Sequence, residues 1–93
     1  MVNYDRLYKD IEDNLIYGSG FVEMLTYADT LPFCYYKVKA SEETLDFTYE
    51  ANGYEVIKTS IPYEMFWEPE DVKEMLPTIM EPIIEIGRKA GEQ

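Results

Sequence analysis

The N-terminal part of the chain has the apolar spacing of an amphipathic helix. Its apolar residues recur at intervals of three and four: Tyr4, Leu7, Tyr8, Ile11 and Leu15. Asn3 can serve as the N-cap, and Gly18 lies just past Tyr17. Oppositely charged residues four apart, such as Arg6 and Asp10, largely cancel on the outer face. The pattern predicts a helix from Tyr4 to Tyr17 with a solvated outer face.

The segment from Phe21 to Thr30 fits two structures. In a helix, its apolar residues would share one face: Phe21, Leu25 and Ala28. In a strand, the positions that alternate toward one side are Phe21, Glu23, Leu25 and Tyr27. We give a slight preference to the strand. Leu31-Pro32 ends the segment, because proline restricts the residue before it to extended conformations.

Two more strands are predicted by composition and alternation. Phe33 to Ala40 is rich in aromatic and β-branched residues. Thr44 to Ala51 alternates apolar with polar residues along its length, after the polar break at 41–43. With the strand that follows them, these two segments give a sheet of three strands. The sheet has four strands if the segment at 21–30 is also a strand.

Asn52-Gly53 predicts a hairpin into that next strand, Tyr54 to Ile61, because both residues tolerate a positive φ. The loop length decides the register of the hairpin. A two-residue loop would set Phe47 opposite Lys58, whereas a three-residue loop with Gly53 as a bulge would set Asp46 opposite Lys58. Pairing of opposite charges across strands favours the three-residue loop.

A long helix is predicted from Pro69, which is a natural first helical residue. Its apolar residues keep helical phase: Val72, Met75, Leu76, Ile79, Ile83, Ile86 and Ala90. Because the phase continues through Pro77 and Pro82, we expect a kinked helix or two collinear pieces. Gly91 can cap the C-terminal end, where Arg88 and Lys89 complement the helix dipole.

The order of these elements predicts an α+β fold: an N-terminal helix, an antiparallel sheet of three or four strands, and a kinked C-terminal helix packed on one sheet face. The length of 93 residues predicts a single domain, 1–93. With 46% apolar residues the chain can bury a small core.

The composition argues against most kinds of catalytic site. The chain has no histidine and one cysteine, Cys34, so it lacks the commonest general base and cannot assemble a zinc or iron–sulfur site. Gly18-Ser19-Gly20 follows a helix, the reverse of a phosphate-loop context. We predict a protein that is not an enzyme, with no catalytic, cofactor-binding or metal-binding residues.

Charge and hydropathy also limit the partners and the location. A formal charge of −11 argues against direct binding to nucleic acid, which is driven by basic residues. No apolar run approaches the ~20 residues of a membrane span, and the N-terminus lacks the features of a secretory leader. We therefore predict a cytoplasmic protein without a membrane partner.

The negative charge is unevenly distributed. Residues 1–41 hold six acids and four bases, whereas residues 42–93 hold thirteen acids and four bases. On the predicted C-terminal helix, four glutamates share one side: Glu70, Glu74, Glu81 and Glu85. Like charges four apart slightly weaken a helix, so this row carries a small energetic cost. It can imitate the phosphates of a nucleic acid, or it can be the solvated face of an acidic protein.

An aromatic segment between Pro62 and Pro69 gives a second candidate surface. Its residues are of types enriched at protein interfaces: Tyr63, Met65, Phe66 and Trp67. Glu64 and Glu68 bracket them. The alternative is that Phe66 and Trp67 close the end of the core.

Together these features favour a non-enzymatic acidic inhibitor, or nucleic-acid mimic, that binds a basic nucleic-acid-binding protein. The predicted partner-binding residues are Glu70, Glu74, Glu81, Glu85, Glu64, Glu68, Tyr63 and Trp67. Small acidic proteins of this build include phage anti-defence and toxin immunity proteins, although the chain carries no family signature. The alternative is a structural or chaperone-like module that forms homo-oligomers through its exposed tyrosines.

Overall fold

The computed structural model describes residues 2–16, 24–41, 43–62 and 69–92. The elements in chain order are α1 (Tyr4–Asp10) continued by a π-helix (Ile11–Ile16), β1 (Met24–Ala28), β2 (Cys34–Ala40), β3 (Thr44–Ala51), β4 (Tyr54–Pro62) and α2 (Pro69–Gly91). The strands form one antiparallel sheet in the order β1-β2-β3-β4. The predicted α+β arrangement, with a C-terminal helix packed on the sheet, is confirmed.

The N-terminal helix begins where its sequence predicts, but its α-helical part is shorter than the predicted helix. The Arg6 amide donates to the Asn3 side chain at 3.1 Å, which confirms Asn3 as the N-cap. The α-helix ends at Asp10 and continues in π-helical form to Ile16, where the Asn14 side-chain amide donates to the Asp10 carbonyl. Tyr17, the predicted end, lies outside the described residues.

The segment with two possible structures is a strand over Met24–Ala28, so the slight preference for a strand is confirmed there. Leu25 and Tyr27 are half-buried on the side of the sheet that packs on the helices. The Tyr27 ring stacks on Tyr36 of β2, with ring centroids 5.1 Å apart. The Tyr27 hydroxyl donates to Asp10 at 2.8 Å, which ties β1 to the end of α1. Residues 21–23 lie outside the described part of the chain.

The predicted three-residue hairpin loop is wrong. Asn52 and Gly53 both have positive φ, 53° and 85°, and form a two-residue turn that pairs Ala51 with Tyr54. An irregularity at Val56 then shifts the register by one residue, so Thr48 lies opposite Lys58. Without that extra residue Lys58 would pair with Phe47 and point into the core; the bulge places Lys58 on the open face.

The α2 helix runs unbroken through Pro77 and Pro82, so it is one helix and not two pieces. It packs on β3 and β4, and the buried side chains between the layers include Phe47, Tyr49 and Ile83. A Cβ atom on Gly87 would lie 2.1 Å from a ring carbon of Tyr49, so the absence of a side chain there sets the closest approach of helix and sheet. Neither α1 nor α2, the α-helices that the structure describes, is long and apolar enough to cross a membrane.

Candidate protein-binding surface

Three of the predicted glutamates line the solvent side of α2. Glu74, Glu81 and Glu85 are exposed, whereas Leu76, Met80 and Ile83 on the opposite side are buried. The helical rise separates the first two by about 10 Å and the last two by about 6 Å along the axis. We call these three residues the acidic row.

Of the other predicted contact residues, only Glu70 lies within the described part of the chain. Glu70 belongs to the first turn of α2, four residues before Glu74, and its side chain is not among those described. Four predicted contacts lie outside the described residues: Tyr63, Glu64, Trp67 and Glu68. Their role in binding stays a prediction.

The acidic row is only partly neutralised. Among the described side chains, no lysine or arginine forms an ion pair with Glu74 or Glu81. Glu85 lies 3.6 Å from Lys89, but both side chains are more than 70% exposed, so water screens the pair strongly. Lys73, one residue before Glu74, lies 3.0 Å from Asp5 of α1 instead.

The open face of the sheet is electrically balanced instead. Lys37 donates to Glu50 at 2.8 Å, and Lys58 lies 3.8 Å from Asp46. Ser60 donates to the Asp46 carboxylate at 2.6 Å, and this hydrogen bond holds the pKa of Asp46 below its usual value. On the open face, Glu50 is therefore paired with Lys37, and Asp46 is contacted by Lys58 and Ser60.

Of the two layers, only the helical one carries excess negative charge; seven further acids lie outside the strands and helical segments. Within the bounds of the four strands there are three acids and three bases. Within the helical segments Tyr4–Ile16 and Pro69–Gly91 there are nine acids and five bases. A cationic partner approaching the two faces would meet a neutral sheet and a negative helical layer.

A groove of about 520 Å³ lies between the N-terminal segment and the C-terminal half of α2. Its apolar lining comes from Val2, Tyr4 and Ile84, and Glu81 and Glu85 of the acidic row border it. Burial, together with the nearby Glu81 carboxylate, raises the pKa of the Tyr4 phenol above its usual value. The groove therefore combines apolar surface with negative charge.

An ion pair between the buried Asp29 carboxylate and the partly exposed Arg88 borders this groove. Arg88 donates from Nε and Nη2 to the two carboxylate oxygens of Asp29, at 3.0 and 2.8 Å. The Tyr49 hydroxyl donates to the same carboxylate. The hydrogen bonds from Arg88, with that from Tyr49, lower the pKa of Asp29 to about 2. The loop after β1, the centre of β3 and the end of α2 are thereby held together.

Sequence reasoning missed both the groove and the ion pair. The sequence pattern indicates only that Arg88 complements the helix dipole, and no local pattern connects it to Asp29, which is 59 residues away. Tyr4 packs against the core, as the apolar spacing of its helix predicts, and it also lines the groove, which that spacing does not predict. Within the described part of the chain, no group of three or more acidic, cysteine or histidine side chains is arranged to hold a metal ion.

Comparisons of the chain with protein-family models, with curated proteins and with solved structures find no match.

Proposed function

We propose that this protein is a non-enzymatic acidic inhibitor that binds the cationic, nucleic-acid-binding surface of another protein. The acidic row on α2 provides the contact, together with the aromatic segment that precedes the helix. The partner is a basic protein, and the negative charges take the place of its phosphate ligands. The site of action in this proposal is the cytoplasm.

The observation that carries the proposal is the segregation of charge between the two faces. Balanced charges on the sheet face follow the ordinary arrangement of a soluble surface, with both signs interspersed. On α2 the glutamates are grouped, and Glu74 and Glu81 lack an ion-pair partner among the described residues. Grouped like charges disfavour the isolated fold slightly, and a cationic partner would offset this cost.

Affinity capture from the native cell, with two charge-matched variants, tests the proposal. One variant is Glu74→Gln with Glu81→Gln, on the helix. The other is Glu50→Gln with Glu55→Gln, which face each other across β3 and β4 on the sheet. Each variant removes two negative charges, and the sheet variant also breaks the Lys37–Glu50 ion pair.

The proposal predicts a basic nucleic-acid-binding protein captured by the parent chain and by the sheet variant, and depleted with the helix variant. Equal capture by all three proteins, or capture of a partner that is not basic, would refute it. The mass of the free protein by light scattering is the parallel measurement. A stable homo-oligomer that ignores basic proteins at low salt would favour the structural module.

A further inference from the structure

We propose that the groove between Val2, Tyr4 and α2 is the subsite that receives an arginine or lysine side chain of the basic partner. This inference rests on the proposed function and makes it specific, because it assigns one position on the helical layer to a particular contact. The aliphatic stem of the guest side chain would lie along the apolar lining, and its cationic end would face Glu81.

The volume and lining of the groove fit such a guest. Its volume of about 520 Å³ lies within the range of roughly 300 to 1,000 Å³ that is typical of ligand-binding clefts. Long cationic side chains bury their methylene groups on apolar surface while the charged end stays near water. Val2, Tyr4 and Ile84 provide that surface, and the ring of Tyr4 can also contact a cation through its π face.

The charge of the groove favours a cationic guest. Three carboxylates border it, from Glu81, Glu85 and Glu92. Glu81 and Tyr4 both line the groove, so charge and apolar lining meet at the same place; burial, together with the Glu81 carboxylate, raises the pKa of the Tyr4 phenol. A guest cation there would meet a carboxylate that has no ion-pair partner among the described side chains.

Among the described residues, two cations also line the groove, Arg88 and Lys89. Arg88 makes two hydrogen bonds to Asp29, whose side chain is only 4% exposed. Lys89 lies 3.6 Å from Glu85. Because Asp29 neutralises Arg88, the three lining carboxylates outnumber the one remaining cation, Lys89, and the groove presents negative charge to a guest.

The test compares two glutamates of the same helix. Glu74 and Glu81 are both exposed and both lack an ion-pair partner among the described side chains, but only Glu81 lines the groove. The probe is an acetylated, amidated hexa-arginine peptide, titrated at low ionic strength into the parent protein and into the single variants Glu81→Gln and Glu74→Gln. Isothermal titration calorimetry gives the dissociation constants, and backbone amide NMR shifts locate the peptide.

We expect Glu81→Gln to raise the dissociation constant about fivefold and Glu74→Gln to raise it less than about twofold, the difference between a direct ion contact and a more distant charge. The amide shifts of Val2, Tyr4 and Ile84 should respond to the peptide in the parent protein. Equal effects of the two substitutions would overturn the groove as a subsite and leave the proposed function standing. No binding of the peptide to the parent protein would overturn both.

Discussion

Arg88 and Asp29 form a two-point ion pair between the last turns of α2 and the loop that follows β1, with donor–acceptor distances of 3.0 and 2.8 Å. The Asp29 side chain is 4% exposed and that of Arg88 is 39% exposed, so the carboxylate is buried and the guanidinium covers it. Paired hydrogen bonds of this kind fix orientation as well as distance. The pair therefore positions the end of α2 that borders the groove.

Replacing Arg88 with methionine should destabilise the protein, because Asp29 would remain buried without its cation. We expect a loss of about 2 kcal/mol in the free energy of unfolding, less than the roughly 3 to 5 kcal/mol found for fully buried pairs, since Arg88 is partly exposed. Urea denaturation measures the change. The control is Lys89→Met, which removes an exposed cation and should change stability by less than about 0.5 kcal/mol. Equal losses of unfolding free energy in the two variants would contradict a specific stabilising role for the Asp29–Arg88 pair.

The low pKa of Asp29 makes stability dependent on pH in the acid range. Its folded-state pKa of about 2 lies below the ordinary value of 3.8, so the ionised carboxylate stabilises the fold above about pH 4. That contribution, on the order of 2 kcal/mol, is lost as the pH falls from 4 through 2. Denaturation at several pH values should show a loss of stability over this interval that is smaller in Asp29→Asn. Parallel pH profiles for the two proteins would contradict the assignment.

Gly87→Ala should destabilise the fold although alanine favours helices. The added Cβ would lie 2.1 Å from the Tyr49 ring, which is fully buried and hydrogen-bonded to Asp29. Overpacking typically costs about 1 to 3 kcal/mol, and a 2.1 Å approach to a fully buried ring belongs at the upper end of that range, above the gain of about 1 kcal/mol from helix propensity. The control, Thr78→Ala, lies on the exposed side of the same helix and should leave stability unchanged or slightly higher. Thermal unfolding distinguishes the two, and a stabilised Gly87→Ala protein would contradict the packing described.

Asn52 tests the two-residue turn. Its φ of 53° is a left-handed conformation that asparagine and glycine adopt more readily than alanine. Asn52→Ala should therefore lower the free energy of unfolding by about 1 kcal/mol, whereas Asn52→Gly should leave it nearly unchanged or raise it. If both variants unfold at the same denaturant concentration as the parent protein, the turn does not require this conformation.

The strands were predictable because each one carries its own local signal. Thr44–Ala51 occupies the range that its alternation indicates, and the Asn-Gly pair marks the turn. The register was not predictable from charge pairing. The predicted and the observed register both keep Lys58 on the open face, so burial does not choose between them; the extra residue falls at Val56 instead of at Gly53, which leaves Asp46 opposite Ser60.

The candidate surface was predictable only where helical periodicity governs it. The spacing of Glu74, Glu81 and Glu85 places them on one side of a helix wherever that helix packs. The groove depends on how the N-terminal segment meets α2, which no local pattern encodes. The Asp29–Arg88 pair likewise joins residues far apart in sequence, so it becomes apparent only in the folded chain.

The most direct test of the central claim is the salt dependence of hexa-arginine binding. The helix variant Glu74→Gln with Glu81→Gln and the sheet variant Glu50→Gln with Glu55→Gln lose equal charge, and at moderate salt the screening length of about 10 Å keeps the two faces distinct. The account predicts that the plot of log affinity against log salt becomes shallower for the helix variant and stays close to that of the parent protein for the sheet variant. Identical slopes for the two variants, or a larger change in the sheet variant, would contradict it.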